Sequence, residues 1–356
     1  MHLSAQNHHR GLYSARYDGH VMRVSASPFI EFSGIKFSPR YISYGLFCCT
    51  AKPEVVLLVN PLRGEVMILP RPRVRDHLIS LNTRFSIGFD DTTGTYKIVG
   101  LFAVKGAVGY PYISKTNRVA KVYTLGTSSW RPISSDAPLR NMNSKAVSAY
   151  GDIHWLIAYY EDDMIPGLIF SFNSRIEEFN PTPHPRPVDD KAYKSIALFN
   201  LKGSLAMLGV VSVNQSDLWV MKDYDTKEWA RAYTLSNDLW AMKRDITIIR
   251  SRLIIEAWEH GLCIINASCG PYIYNRTTHH IERVFYRPPN GNGQWWHGPI
   301  TSYTGTLISL KNYGSLVPAD LCPASAYFTN RTSLVYINSS SEDFLKVQPK
   351  RRRRLE

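Results

Sequence analysis

The chain has 356 residues, 44% hydrophobic and 20% charged, a balance that suits a folded globular protein and excludes disorder over most of its length. The formal net charge of +13 includes one terminal basic run, Lys350, Arg351, Arg352, Arg353 and Arg354, and what remains is too dilute for a nucleic-acid-binding surface. No apolar run reaches the length of a membrane span and the polar start, 1–10, has no apolar signal core, so the chain reads as intracellular, nuclear or cytoplasmic, without a membrane partner.

In chain order, residues 1–39 are weakly patterned and read as an N-terminal connector. From Tyr44 short apolar runs recur, each bounded by Gly, Pro, Asn or Asp: 44–49, 55–59, 66–69, 85–89 and 96–102. The turn Asp90-Asp91-Thr92-Thr93-Gly94 between two of them marks a hairpin. Further runs follow at 119–125, 153–157, 168–172, 205–211, 218–221, 253–258, 272–274, 281–285 and 307–310. No long stretch shows helical period, and the 21 prolines argue against long helices. The 12% aromatic content suits half-buried strands. The five cysteines form no even disulfide framework and read as free thiols.

A longer repeat overlies the strands. Tyr44-Gly45-Leu46, Gly94-Thr95-Tyr96, Tyr150-Gly151-Asp152-Ile153, Lys202-Gly203-Ser204-Leu205, Ser251-Arg252-Leu253 and Thr304-Gly305-Thr306-Leu307 open apolar runs at intervals of roughly 50 residues, the spacing of kelch-type propeller blades. In Gly126-Thr127-Ser128-Ser129-Trp130 and Asp225-Thr226-Lys227-Glu228-Trp229 a polar turn leads to a Trp, a side chain large enough to fill the gap between facing sheets. One four-stranded blade cannot bury both its faces, whereas a closed ring of them can. The expected architecture is therefore all-β, a β-propeller of about six kelch-like four-stranded blades over 40–347, with a disordered basic tail at 348–356.

These residues resemble the F-box-associated domain of plant F-box proteins, of the kelch-like propeller type. The resemblance rests on Phe37-Ser38-Pro39, Val59-Asn60-Pro61 with Ile68-Leu69-Pro70, Gly88-Phe89-Asp90 with Tyr96-Lys97-Ile98-Val99, Thr124-Leu125-Gly126 with Ser129-Trp130-Arg131, Phe170-Ser171-Phe172, and Leu218-Trp219-Val220-Met221 with Glu228-Trp229, in the family's order. It implies the substrate-recognition half of a Skp–cullin–F-box ubiquitin ligase. Such proteins carry a leucine-rich helical F-box ahead of the propeller, which docks on the Skp adaptor and through it on the cullin. Residues 1–39 lack the amphipathic leucine pattern of that module, which sets a ligase-independent interaction scaffold, or a competitor, beside the receptor reading.

For chemistry, the chain has no Gly-x-Ser-x-Gly elbow, phosphate-binding glycine loop or His-Glu-x-x-His motif, so hydrolase or lyase activity on the propeller is the remote alternative and no catalytic residue, cofactor or metal ligand is assigned. The acidic pairs Glu177-Glu178 and Asp189-Asp190 and the cluster Glu161-Asp162-Asp163 read as solvated loop residues. A protein partner is expected at the blade loops 107–116, 159–166, 182–192 and 288–297. The last holds Trp295 and Trp296, candidate anchors if exposed and blade-packing residues if not. The run Lys350 to Arg354 fits a nuclear-import signal.

Overall fold

Apolar runs that read as nearly continuous in the sequence become strands buried on both faces. A computed structural model of the chain describes residues 11–17, 21–24, 30–31, 42–52, 55–72, 77–78, 84–104, 118–133, 146–157, 168–185, 193, 195–212, 215–236, 253–258, 261–266, 270–275, 281–283, 285–287, 300–303, 305–316 and 334–338. Among them are strands and one 3-10 turn, Leu310–Asn312, and no α-helix.

The strands form six sheets. Blade 1 is the antiparallel set Ile42–Ser43, Leu46–Lys52, Val55–Asn60 and Glu65–Leu69. Blade 2 comprises Arg84–Asp90, Thr95–Val104, Arg118–Thr124 and Arg131–Pro132, with His77–Leu78 paired to the far end of its second strand. Blade 3 runs Val147–Ala149, Asp152–Ile157, Leu168–Asn173, Glu178–Thr182, and blade 4 runs Ser195–Leu201, Ser204–Ser212, Gln215–Asp223, Glu228–Ser236. Blade 5 is Leu253–Trp258, Gly261–Asn266, Gly270–Asn275 and Ile281–Arg283. First strands of successive sheets lie side by side, from 42–43 round to 300–303, so the chain is an all-β propeller.

The sixth sheet joins the two ends of the described chain. Gly11–Tyr17 pairs in parallel with Leu334–Asn338, which pairs in parallel with Ile300–Tyr303; Val21–Val24 pairs in parallel with Phe285–Arg287. Strands at 11–17, 21–24 and 30–31 thus lie within the segment that patterning marks as a connector. Gly11–Tyr17 and Val21–Val24 pair as a local antiparallel hairpin and Ile30–Glu31 pairs back on the first of them, but both hairpin strands also take parallel partners hundreds of residues away, which no local pattern connects to them.

Side chains alternate between neighbours with the strand period of two. In blade 4, Leu205 and Met207 face blade 3, packing with Val147 and Ile169, while Ala206 and Leu208 face blade 5 and Tyr274. In blade 2, Ile98 faces blade 1 and Val99 and Leu101 face Trp155 and Phe172 of blade 3.

Two elements differ from the sequence pattern. The fifth repeat is shifted: Leu253 opens the first strand of blade 5, and the glycine matching Gly45, Gly151 and Gly203 is Gly261, at the second strand. The run at 307–310 is not a strand of a sixth blade. Residues 305–309 are irregular and lead into the 3-10 turn, and the segment crosses back to blades 1 and 2.

Candidate functional site

Alternating turns give the ring two unlike ends. The connections 44–45, 61–64, 91–94, 150–151, 174–177, 202–203 and 224–227 gather at one end, all short. Second strands end and third strands begin at the other end, at Val104 and Arg118 in blade 2 and at Ile157 and Leu168 in blade 3.

The short turns are built by one recurring device. Asn60, Asp90, Asn173 and Asp223 end strands, and the Oδ1 of each accepts backbone N–H groups two or three residues on: Arg63 at 3.4 Å, Thr92 at 3.0 Å, Arg175 at 2.9 Å and Asp225 at 2.8 Å. Ion pairs tie the turns across blades. Arg175 of blade 3 grips Asp91 of blade 2 with two bonds of 2.8 Å. Glu177 accepts from Lys97 at 2.6 Å and from Arg131 at 2.7 and 2.8 Å. Burial opposes ionisation of Glu177, but bonds from Arg131 and Lys97 outweigh it and hold its carboxyl below the usual range. Glu177, expected as a solvated loop acid, is instead an inter-blade clamp, because its cationic partners lie 46 and 80 residues away in sequence.

At the blade 3–blade 4 junction Tyr224 stacks on Tyr150 with ring centroids 4.7 Å apart, carries Lys227 Nζ 3.3 Å from its centroid, and bonds Asp152. Burial raises the Asp152 carboxyl above its ordinary value, against the bonds from Tyr224 and the Ser174 N–H. Two residues on, His154 Nδ1 lies 2.6 Å from Ser171 Oγ, which lies 2.7 Å from Thr182 Oγ1. His154 Nε2 is 3.2 Å from the carbonyl of Ala149, and because a carbonyl only accepts, Nε2 carries the proton. Nδ1 therefore accepts from Ser171. This is a serine–histidine pair in distance alone: His154 is 0% and Ser171 4% exposed, and the nearby Asp152 binds Tyr224 and Ser174 rather than the imidazole. The arrangement holds strands together and offers no surface to a substrate.

Near the axis, Ser148 Oγ of blade 3 lies 2.7 Å from Ser43 Oγ of blade 1 and 2.7 Å from the Ile87 carbonyl of blade 2, and Asn200 of blade 4 donates to the Ser148 carbonyl at 2.6 Å. The Tyr44 ring packs on Phe89 and Tyr96, and burial raises its hydroxyl pKa. Four blades are thus drawn together at this side of the axis. Among the described residues no group of three or more His, Cys, Asp or Glu could hold a metal ion.

The paired tryptophans sit where the repeat places them. Trp130 is buried between blades 1 and 2 and donates to the carbonyl of Pro70 at 2.6 Å; Trp229 donates to that of Pro183 at 2.9 Å. In both, a Trp opening one outer strand clasps the proline that follows the outer strand of the preceding blade. Trp295, Trp296, the run Lys350 to Arg354 and the loops 107–116, 159–166 and 288–297 lie outside the described residues, as do 186–192 of the fourth loop.

The model of the F-box associated beta-propeller domain matches residues 6–286. The chain belongs to this family. Among its relatives in Arabidopsis thaliana, F-box protein CPR1 is 24% identical over 216 residues, covering 54% of this chain and 51% of that protein. An F-box/kelch-repeat protein is 30% identical over 153 residues, 42% of this chain and 36% of that one, and F-box protein DOR is 26% identical over 191 residues, 50% and 43%. The F-box-associated chain therefore spans about half or less of the length of these relatives. Among solved structures, an oligogalacturonate lyase in complex with manganese superposes with a TM-score of 0.43 at 9% identity, over 68% of this chain and 62% of that one. At that level of likeness neither its chemistry nor its metal passes to this propeller.

Proposed function

We propose that this propeller is a non-catalytic protein-binding module that recognises substrates for a Skp–cullin–F-box ubiquitin ligase. The observation that carries the reading is the family match over residues 6–286, shared with relatives that are F-box proteins. Supporting it, the short-turn end uses its charges on itself, through Arg175–Asp91 and Arg131–Glu177, and the inner strands of blades 1 to 4 are tied to each other. Recognition then belongs to the end from which the longer connections leave, with Trp295 and Trp296 as anchors. The basic run Lys350 to Arg354 serves nuclear import. Deleting it from a fluorescent fusion should shift signal from nucleus to cytoplasm, and an unchanged distribution refutes that role.

The test is affinity purification from plant extract with the whole chain as bait, beside a Trp295→Ala/Trp296→Ala variant, with captured proteins identified by mass spectrometry. Recovery of proteins that the double variant loses is the expected result, and the Skp adaptor and cullin among the captured proteins would show that docking on the ligase does not need the leucine pattern missing from residues 1–39. Partners without adaptor or cullin would make the chain a ligase-independent scaffold or a competitor. An identical set from bait and variant would remove the two tryptophans from the binding surface.

A further inference from the structure

We propose that residues 305–316 are a displaceable strap that fills, in cis, a peptide-binding slot at the junction of blades 1 and 2. The case rests on how the segment is held. Asn60, at the end of the third strand of blade 1 and 0% exposed, turns its amide outward and donates to the carbonyls of Thr306 at 3.1 Å and Ile308 at 2.7 Å. Glu65 accepts from the backbone N–H of Leu310 at 2.6 Å and the hydroxyl of Ser309 at 3.0 Å. Met67 pairs with Leu316 in an isolated antiparallel bridge on the outer edge of the blade. Asn60, Glu65 and Met67 thus address chiefly main-chain groups of a segment more than 240 residues away. Main-chain hydrogen bonds plus a pocket for one side chain is the recognition mode of extended peptides. The pocket is occupied by Leu310, 0% exposed among Leu69, Tyr123 and Trp130, while Leu307 stands 73% exposed.

The strap is also the part of this junction most easily lost. Blade strands are held by continuous ladders, but the strap has one bridge, one fully buried side chain, three half-buried ones (Ile308, Tyr313 and Leu316) against the same core, and exposed residues at Lys311, Asn312, Gly314 and Ser315. Its departure would leave the Asn60 amide without two acceptors and Glu65 without two donors, groups that another extended backbone would satisfy. The slot therefore suits a linear peptide that presents free carbonyls and then a leucine-sized anchor in a tight turn. This inference holds whether or not the chain serves a ligase.

Two measurements on the whole chain test it. In hydrogen exchange followed by mass spectrometry, peptides over 305–316 should exchange at least a hundredfold faster than those over the third strand of blade 1. Equal rates, meaning that the strap opens only when the propeller unfolds, overturn the proposal. In the second, a fluorescent synthetic peptide of residues 305–316 is titrated with the wild-type chain and with Leu310→Asp. The variant, its own anchor unable to seat, should bind at least tenfold more tightly, and adding Asn60→Ala should abolish the gain. A folded Leu310→Asp chain that binds no better than wild type, or a variant that loses its cooperative unfolding transition, shows the strap to be a fixed part of the core and refutes the slot.

Discussion

His154 sets the acid limit of the blade 3–blade 4 junction. Burial pushes its imidazole down to about 4, from an ordinary value of 6.5. Between those values the unfolded chain takes up a proton that the folded chain refuses, so stability falls as pH drops through that window, by roughly 3 kcal/mol in all. Asp152 acts in the opposite sense, since its raised carboxyl binds its proton first in the folded state. Comparing His154→Gln with wild type isolates the imidazole, because the glutamine amide can donate to Ala149 and accept from Ser171 without titrating. Urea midpoints at about pH 7 and about pH 4.5 should move further apart in wild type than in the variant. Equal spacing would show that His154 is not held neutral by the fold. The residue is legible in the sequence only as a histidine in an apolar run; Ser171 and the Ala149 carbonyl, which satisfy it, and Thr182, which bonds Ser171, lie on other strands.

Hairpins carry the repeat, and their glycines are not equivalent. Gly151 and Gly203 hold the same place in blades 3 and 4, with φ of 89° and 92°, a left-handed conformation that favours glycine. A Cβ on Gly203 would meet nothing within 4 Å, whereas one on Gly151 would lie 2.5 Å from the carbonyl oxygen of Phe89. Gly203→Ala should therefore cost about 1 kcal/mol for the backbone alone, and Gly151→Ala several times that, because the N–H of Phe89 also bonds the Gly151 carbonyl at 2.8 Å and that contact must move. Thermal melts of the two variants decide it, and equal losses would mean that the blade 2–blade 3 contact yields. The turn code was largely readable, because Asn60, Asp90, Asn173 and Asp223 are residues that close turns with their own side chains. Glu177 and Lys227 were not, since they take positive φ, 57° and 59°, where Gly64 and Gly94 mark the conformation in other turns. The strap was misread for a related reason: Leu307-Ile308-Ser309-Leu310 has the composition of a strand, and what keeps it from a ladder is Asn60 and Glu65, which no local pattern connects to it.

At the scale of the molecule, the ring depends on the parallel pairings of its sixth sheet. The blades 1 to 5 are successive antiparallel sheets, and each follows from apolar runs and turns near one another in sequence. In the sixth sheet the pairings among 11–17, 21–24 and 30–31 are local, but those that join them to 285–287 and 334–338 are not, so the period announced a propeller without showing how it closes. Leu334–Asn338 is the central element of that closure, paired to Gly11–Tyr17 on one side and Ile300–Tyr303 on the other. A proline at Tyr336, which pairs with both Ser14 and Thr301, removes a backbone donor and constrains φ in the middle of the sheet, at a cost of about 3 kcal/mol or more. If the closing sheet holds the ring, the consequence reaches beyond that strand. With Trp240, Trp258, Trp295 and Trp296 replaced by phenylalanine, the parent chain should unfold in one transition by tryptophan fluorescence, which then reports Trp130, Trp155, Trp219 and Trp229 in blades 2 to 4, and by far-ultraviolet circular dichroism, which reports every strand. In Tyr336→Pro the two signals should part, with the dichroism lost first as the closing sheet opens and the inter-blade cores around Trp155 and Met207 persisting to higher denaturant. Coincident transitions at an unchanged midpoint would mean that contacts between neighbouring blades suffice to hold the ring, with the sixth sheet merely resting against it.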